Sequence, residues 1–367
     1  MTDRDYMRLA LDLAELGCGW VNPNPMVGAI IVKENRIIGT GYHHRYGENH
    51  GERDAIANCS ESPEGATIYV TLTPCCHQGK TPACTDAIIK NGISRVVIGS
   101  ADPNILVGDK SLSILRQHDI IVETGVLKSE CDALNPVFFH YIQTKKPYVI
   151  MKYAMTLDGK IATVTGASKW ITGKLSRTRV HQDRHRYAAI MVGVGTVLSD
   201  DPSLTCRIPN GHNPIRIICD TTLKTPLTAQ VVQTAKTVPT IIATSSDDAA
   251  RIAAFEQAGC DILIVPKYQH HVDLQVLMTL LGERNIDSLL LEGGQTLNWS
   301  ALESRIVHRI QTYIAPKLFG GETAKSPIGG RGIREPSDAY QICPPKITVL
   351  GDDILLESEV LDVHRHY

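Results

Sequence analysis

One pattern repeats along the whole chain: a short apolar run rich in β-branched residues, a turn, then a stretch with helical spacing. "ATIYVTL" (66–72) is followed by the turn-rich "TPCCHQGKTPAC" and then by "TDAIIKNG"; "SRVVIGS" (94–100) leads to "SLSILRQHD" in the same way. Apolar runs bounded by turn residues read as buried strands, and longer periodic segments read as helices. Strands alternating with helices bury both of their faces only in layers, so the fold class is α/β. An amphipathic helix over Asp5 to Leu16 opens the chain, with Tyr6, Leu9, Ala10 and Leu13 on one face and Gly17 as its stop. "MVGAIIV" and "RIIGTGYH" flank "KEN" as a hairpin.

The pattern breaks once, at the polar "QTKKPYV" (143–149), where a proline precedes a new strand. With 367 residues, two cores are expected, and the break divides the chain into domains at 1–145 and 146–367. The second domain alternates again, with strands expected at 148–154, 188–193, 214–219, 239–244, 261–265, 288–292 and 307–314. Helices are expected near 174–187, 247–258, 272–284 and 295–304, with a final hairpin turning at Gly351-Asp352.

Composition narrows the function. Lys plus Arg number 37 against 39 Asp plus Glu, whereas a chain built to grip nucleic acid carries a marked basic excess. No segment approaches the ~18 consecutive apolar residues of a membrane helix. The start has early acids and no charged n-region before an apolar stretch, so a cytoplasmic protein is expected. Ten scattered cysteines form no disulfide framework; Cys59, Cys219 and Cys260 lie in apolar runs and read as core residues. Cys75, Cys76 and Cys84 sit in a polar, turn-rich loop instead.

That loop joins a second oddity. In "NHGERDAIANC" (49–59), helical spacing is plain from Asp54 onward, yet His50 and Glu52 fall outside it, at the open N-terminal end of the helix. His50-x-Glu52, Pro74-Cys75 and Cys84 together supply one imidazole, two thiols and one carboxylate. A catalytic zinc takes three protein ligands and keeps a fourth position for water. His50, Cys75 and Cys84 fit that count, and Glu52 is left to carry a proton from the water to a leaving amine. This is the H-x-E…P-C…C signature of zinc deaminases. The plainer alternative is a helix cap beside buried or structural cysteines.

The second half is less specific. "GVGTVLSDDPSLTCR" (193–207) and "LLLEGGQTLN" (289–298) put glycines just after buried strands, where backbone amides approach a phosphate or simply turn. Gly193-x-Gly195 lacks a glycine at Leu198, which excludes a dinucleotide-binding Rossmann fingerprint. In "SRTRVHQDRHRY", Arg177, His181 and Arg184 share one helix face, either a phosphate-facing stripe or a solvated surface.

Beyond these motifs, "NPNPMVGAIIV", "GTGYHHRYGENHGE", "ATIYVTLTPCCHQGKTPAC" and "GISRVVIG" resemble the N-terminal half of the bacterial bifunctional riboflavin-biosynthesis deaminase/reductases. "PYVIMKYAMTLDGKIA", "GASKWITG", "VGVGTVLSDDPSLTCR", "LLLEGG" and "YIAPKLFGG" resemble their reductase half. The resemblance implies a cytidine-deaminase-like α/β/α domain followed by a dihydrofolate-reductase-like α/β domain. It implies Zn2+ on His50, Cys75 and Cys84, with Glu52 as proton shuttle and Asn24 and His77 beside the pyrimidine. It implies NADPH held by Ala154, Trp170, Thr196, Asp200, Thr221 and the stretch Gly294, Gln295 and Thr296. A phosphoribosylaminopyrimidine substrate would be held by Ser168, Arg184, Leu204, Arg207 and Glu292, with Lys152 and Asp158 as further pocket residues. Trp170 could equally be a core aromatic. The expected partners are that small molecule and further copies of the chain, with no nucleic acid and no membrane. Deamination of the diaminopyrimidinone and then NADPH-dependent reduction of the ribosyl arm are the implied reactions. The alternatives are a reductase carrying a structural zinc remnant, and an RNA-docking deaminase fold, which 5% aromatic residues and a slightly negative charge disfavour.

Against the family patterns H-A-E, T-L-E-P-C, T-P-P-C and D-P-N-P-x-V-x-G-x-G, this chain has Gly51, Thr73, Ala83 and Ile105, with Asp109 and Ser111 at glycine positions. Gly51 should loosen the helix start by up to ~1 kcal/mol. Asp109 and Ser111 should strain a loop that needs positive φ.

Overall fold

The computed structural model describes residues 1–104 and 107–361; Ile105 lies outside them. The chain forms two compact units, Met1–Lys145 and Lys146–Tyr367. The first runs α1 (Asp3–Glu15), β1 (Gly28–Lys33), β2 (Arg36–Tyr42), α2 (Gly51–Ala57), β3 (Thr67–Leu72), α3 (Cys84–Lys90), β4 (Arg95–Ser100), α4 (Gly108–Gln117), β5 (Ile121–Thr124), α5 (Lys128–Leu134) and α6 (Pro136–Thr144). Its sheet order is β2-β1-β3-β4-β5. β1 is antiparallel to both neighbours, while β3, β4 and β5 are parallel. Glu34 and Asn35 both take positive φ in the two-residue turn between β1 and β2, the geometry that matches strand twist in a hairpin.

Alternation along the strands sorts the side chains into two cores. Ala29, Ile31, Ile68, Val70, Val96 and Ile98 pack with Ala55, Ile88 and Leu115 of α2, α3 and α4. Ile30, Val32, Tyr69 and Val97 pack with Met7, Ala10 and Ala14 of α1 and with Cys131 and Leu134 of α5. The result is the expected α/β/α layering. A capping box between Thr2 and Asp5 starts α1.

Three expectations change. The helix expected from Asp54 begins at Gly51, because its first turn faces the site and its apolar spacing starts only at Ala55. Gly51 is a packing residue: an added Cβ would lie 2.7 Å from the Val27 carbonyl oxygen. Asp109 and Ser111 are not strained, since both lie inside α4 and neither has positive φ. Helices α5 and α6 were not foreseen; Asn135-Pro136 separates them, with the proline in the first turn of α6.

The second unit runs β6 (Tyr148–Thr156), α7 (Lys174–Arg186), β7 (Ala189–Gly193), α8 (Val194–Asp200), β8 (Ile215–Cys219), α9 (Gln230–Gln233), β9 (Thr240–Thr244), α10 (Ala249–Ala258), β10 (Asp261–Ile264), β11 (Lys267–Tyr268), β12 (His271–Val272), α11 (Leu274–Glu283), β13 (Ser288–Leu291), α12 (Gln295–Glu303), β14 (Arg309–Ala315), β15 (Lys346–Leu350) and β16 (Asp353–Glu359). The main sheet is ordered β10-β9-β8-β7-β13-β6-β14-β16-β15. In that order the seven strands β10, β9, β8, β7, β13, β6 and β14 are parallel, and the β15–β16 hairpin closes one edge in antiparallel fashion. Strands covered on both faces read as unbroken apolar runs, as in the fully buried "SLLL" of β13. Among the described residues, no helix is long and apolar enough to cross a membrane.

Gly28 lies under α1, where an added Cβ would collide with the Ala10 carbonyl oxygen. Backbone cannot rotate aside as a side chain does, so Gly28→Ala should cost about 3 kcal/mol, read as a lowered urea midpoint.

Candidate active sites

Parallel strands gather the following loops at their carboxyl ends, where open α/β sheets bind ligands. In the first unit Cys75 lies just beyond β3, Asp102 and Asn104 lie beyond the neighbouring β4, and Cys84 opens α3. His50 is the N-cap of α2 but makes no side-chain capping bond. Its Nδ1 lies 3.5 Å from both the Cys75 and the Cys84 sulfur. The three ligand atoms all fall within 4.8 Å of one another, a spacing a tetrahedral zinc spans. The Cys84 backbone N–H donates to the Cys75 sulfur at 3.4 Å. The Cys84 thiol and the His50 ring bring the Cys75 thiol down to about 4, against the pull of burial.

Glu52 stands beside this trio, 2% exposed. Its Oε2 is buried with no hydrogen-bond partner among the described residues. Burial pushes its carboxyl up to about 7. An orphaned carboxylate oxygen next to three convergent ligands is what a proton-carrying acid beside a bound water requires.

The cavity in front of these residues holds about 310 Å³ and is lined by Asn24 and His77 as expected. It is also lined by His43, Lys80, Asp102 and Asn104, which sequence reasoning did not single out. The "DPN" turn after β4 carried the signal for the last two. Burial raises Asp102 to about 6. His43 Nδ1 contacts the Asn49 carbonyl at 2.9 Å and its Nε2 lies 3.3 Å from Asn24 Nδ2. Thr73 Oγ1 donates to the Ser100 carbonyl and accepts from the Asp102 N–H, and the buried Ser111 hydroxyl donates to the Pro74 carbonyl. Two residues that depart from the family pattern thus brace the loops bearing Cys75 and Asp102.

In the second unit, β8, β7, β13, β6 and β14 are consecutive parallel neighbours. Expected ligand residues follow or end four of them: Thr221 after β8; Thr196 and Asp200 after β7; Glu292, Gly294, Gln295 and Thr296 after β13; Ala154, Ser168 and Trp170 at and after the end of β6. Arg184 grips Glu292 through two bonds, Nε to Oε1 at 2.8 Å and Nη2 to Oε2 at 3.0 Å, and its Nη1 donates to the Thr205 carbonyl. Lys152 Nζ reaches Glu292 Oε2 at 3.4 Å. Burial would push the Glu292 carboxyl up, but Arg184 and Lys152 outweigh it and hold it at about 2. Two cations against one carboxylate leave this trio with one positive charge.

Other expected positions behave differently. The Leu204 side chain is 3% exposed and part of the core, so only its backbone, at φ +51°, is available to a ligand. Trp170 is 65% exposed and is no core aromatic. The basic stripe on α7 is divided: Arg184 serves Glu292, Arg177 stacks on Trp170, and the His181 ring accepts from Arg207 Nε at 3.2 Å. That bond needs an unprotonated ring, and burial with Arg184 and Arg207 brings His181 down to about 4. Ser168 Oγ donates to Asp200 at 3.5 Å. Gly294 is the N-cap of helix α12 and supplies no side-chain cap, and a Cβ added at Gly195 would meet nothing within 4 Å. Open backbone at these points suits a phosphorylated cofactor.

A deaminase-type trio of metal-ligating side chains with its own acid, joined in one chain to a row of parallel strand ends with an uncapped helix end, defines a two-site enzyme. The model of the cytidine and deoxycytidylate deaminase zinc-binding region matches residues 1–100, and the model of the RibD C-terminal domain matches 147–356. The riboflavin biosynthesis protein RibD of Actinobacillus pleuropneumoniae is 56% identical over 98% of this chain and 96% of its own, and that of Aquifex aeolicus is 42% identical over 96% and 97%. A crystal structure of the diaminohydroxyphosphoribosylaminopyrimidine deaminase/5-amino-6-(5-phosphoribosylamino)uracil reductase of Thermotoga maritima superposes with TM-score 0.87 at 37% identity, covering 98% of each chain. The chain belongs to the RibD family, the bifunctional deaminase/reductases of riboflavin biosynthesis.

Glu292→Gln leaves two buried cations without their carboxylate and should cost about 3 kcal/mol at neutral pH. The native carboxyl is depressed, so its stabilisation is complete above the ordinary value of 4.5 and is lost as pH falls toward about 2. Urea midpoints across that window should converge between wild type and variant.

Proposed function

We propose that the first unit hydrolytically deaminates 2,5-diamino-6-(5-phosphoribosylamino)pyrimidin-4-one using Zn2+. The second unit then reduces the ribosyl arm of 5-amino-6-(5-phosphoribosylamino)uracil to ribityl using NADPH. The observation that carries the reading is the convergence of His50, Cys75 and Cys84 with the unpartnered Glu52 Oε2 beside them. A purely structural zinc remnant has no use for a buried acid at its edge, and a buried carboxylate without a partner is costly to keep. Ten free cysteines, two of them in the ligand trio, suit a reducing compartment, and the cytoplasm is the proposed setting.

His50, Cys75 and Cys84 would hold the zinc, whose Lewis acidity would make water nucleophilic near neutral pH. Glu52 is placed to take a proton from the attacking water and deliver it to the departing amine, so one carboxyl would serve as base and then as acid. Asn24 and His77 border the pyrimidine, with Asp102, Asn104 and Lys80 lining the same cavity.

Ala154, Trp170, Thr196, Asp200, Thr221 and Gly294 to Thr296, at the β8, β7, β13 and β6 ends, would hold NADPH, which would supply the hydride. Ser168, the Leu204 backbone, Arg207 and the Lys152–Glu292–Arg184 trio hold the sugar and its phosphate. The residual positive charge of the trio suits the anionic arm, and fixed geometry replaces solvent reorganisation during hydride transfer.

With the diaminopyrimidinone and no NADPH, the wild-type protein should release ammonia. Glu52→Gln should retain its zinc and still reduce the deaminated substrate, while ammonia release falls by about 10²–10⁴-fold. Stripping the metal should abolish only the first activity. Full-rate deamination by the Glu52→Gln protein would remove Glu52 from its role.

A further inference from the structure

At the strand ends of the second unit lies a cation, Lys317, whose side-chain hydrogen bonds go to backbone carbonyls and to no carboxylate. β6 and β14 are adjacent and parallel, so the chain leaves both at the same edge of the sheet. There the segment after β14 is tied to the turn after β6. Asp158 accepts from the backbone N–H of Phe319 at 3.2 Å and of Gly320 at 2.6 Å, and the Leu157 N–H donates to the Lys317 carbonyl at 2.9 Å. Asp158 is thereby an anchor of this base.

From that base Lys317 Nζ donates to the Trp170 carbonyl at 2.9 Å and to the Ile171 carbonyl at 2.7 Å. The next carbonyl, Thr172, accepts from Arg177 Nη1 at 2.5 Å, and the same guanidinium sits 4.5 Å from the centre of the Trp170 ring. Three consecutive carbonyls are thus captured by two cations. At the other end of the segment, Ser168 is tied to Asp200. A large apolar ring that is 65% exposed, with its backbone fixed from behind, is a platform for a planar ligand.

We propose that Lys317 is a positioning residue for the NADPH site, holding the Trp170 segment in the conformation that presents the indole. The inference rests on the reading that Trp170 borders NADPH. It adds that Lys317, which touches neither cofactor nor substrate, sets cofactor affinity through the 170 and 171 carbonyls. A neutral side chain at 317 leaves both carbonyls without donors, and the segment must then be ordered by the cofactor at the moment of binding, which weakens binding.

NADPH affinity, read from nucleotide fluorescence, and steady-state constants would be compared for Lys317→Met, Lys317→Arg, Trp170→Ala and the Lys317→Met/Trp170→Ala double variant. Lys317→Met should raise the NADPH Kd and KM about tenfold, a 1.4 kcal/mol change, with KM for the pyrimidine and the deamination rate unchanged. Lys317→Arg should restore most of the affinity, because a guanidinium still donates to both carbonyls. The double variant should bind no more weakly than Trp170→Ala alone, since the two residues act as one unit. Wild-type NADPH affinity in Lys317→Met, or additive losses in the double variant, would overturn the proposal while leaving the cofactor site where it is. Unchanged affinity in Trp170→Ala would instead overturn the assignment of Trp170 to NADPH, and this inference with it.

Discussion

Parallel pairing of neighbouring strands is the constraint on which both sites depend. Parallel strands leave their sheet at one edge, so residues far apart in sequence are delivered to a common line. In the first unit this sets Cys75, after β3, next to Asp102 and Asn104, after β4, while α2 and α3 bring His50 and Cys84 to the same place. In the second unit the loops after β8, β7, β13, β6 and β14 stand side by side in that order. The two chemistries differ, but each is assembled by the same geometric device.

Two buried glutamates show how surroundings set the role of one side chain. Glu52 is enclosed with one oxygen unpartnered, and burial drives its carboxyl up to about 7. Glu292 is also largely enclosed, its side chain 11% exposed, yet Arg184 and Lys152 hold it at about 2. Desolvation disfavours the charged form in both; only Glu292 has opposite charges close enough to reverse it. The first is left able to exchange a proton. The second is held as an anion that fixes two cations.

Departures from the family pattern are absorbed locally. The alanine of H-A-E is replaced by a glycine that lets α2 approach Val27 closely. Thr73, in place of a glutamate, bridges Ser100 and Asp102, and Ser111, in place of a glycine, bonds to Pro74 beside Cys75. The metal trio and its acid are untouched by these exchanges, and the loops that carry them gain hydrogen bonds.

The sequence by itself determined the layered α/β class, the break near residue 145, most strands and helices, and the four residues that gather at the candidate metal site. Those features are written in local periodicity, in turn residues, or in chemically rare side chains whose combination admits few uses. It also marked Glu292, Arg184 and Lys152 one by one through the family motifs, without revealing that they form a single buried trio. Only the tertiary structure decided that Leu204 turns its side chain into the core, that Arg177 supports Trp170 in place of a phosphate, and that Lys317 reaches the 170 and 171 carbonyls. The physical reason is range. Periodicity and capping act within a turn or two of chain, whereas the direction of a cation's hydrogen bonds is set by whatever backbone the sheet brings alongside it from a hundred or more residues away.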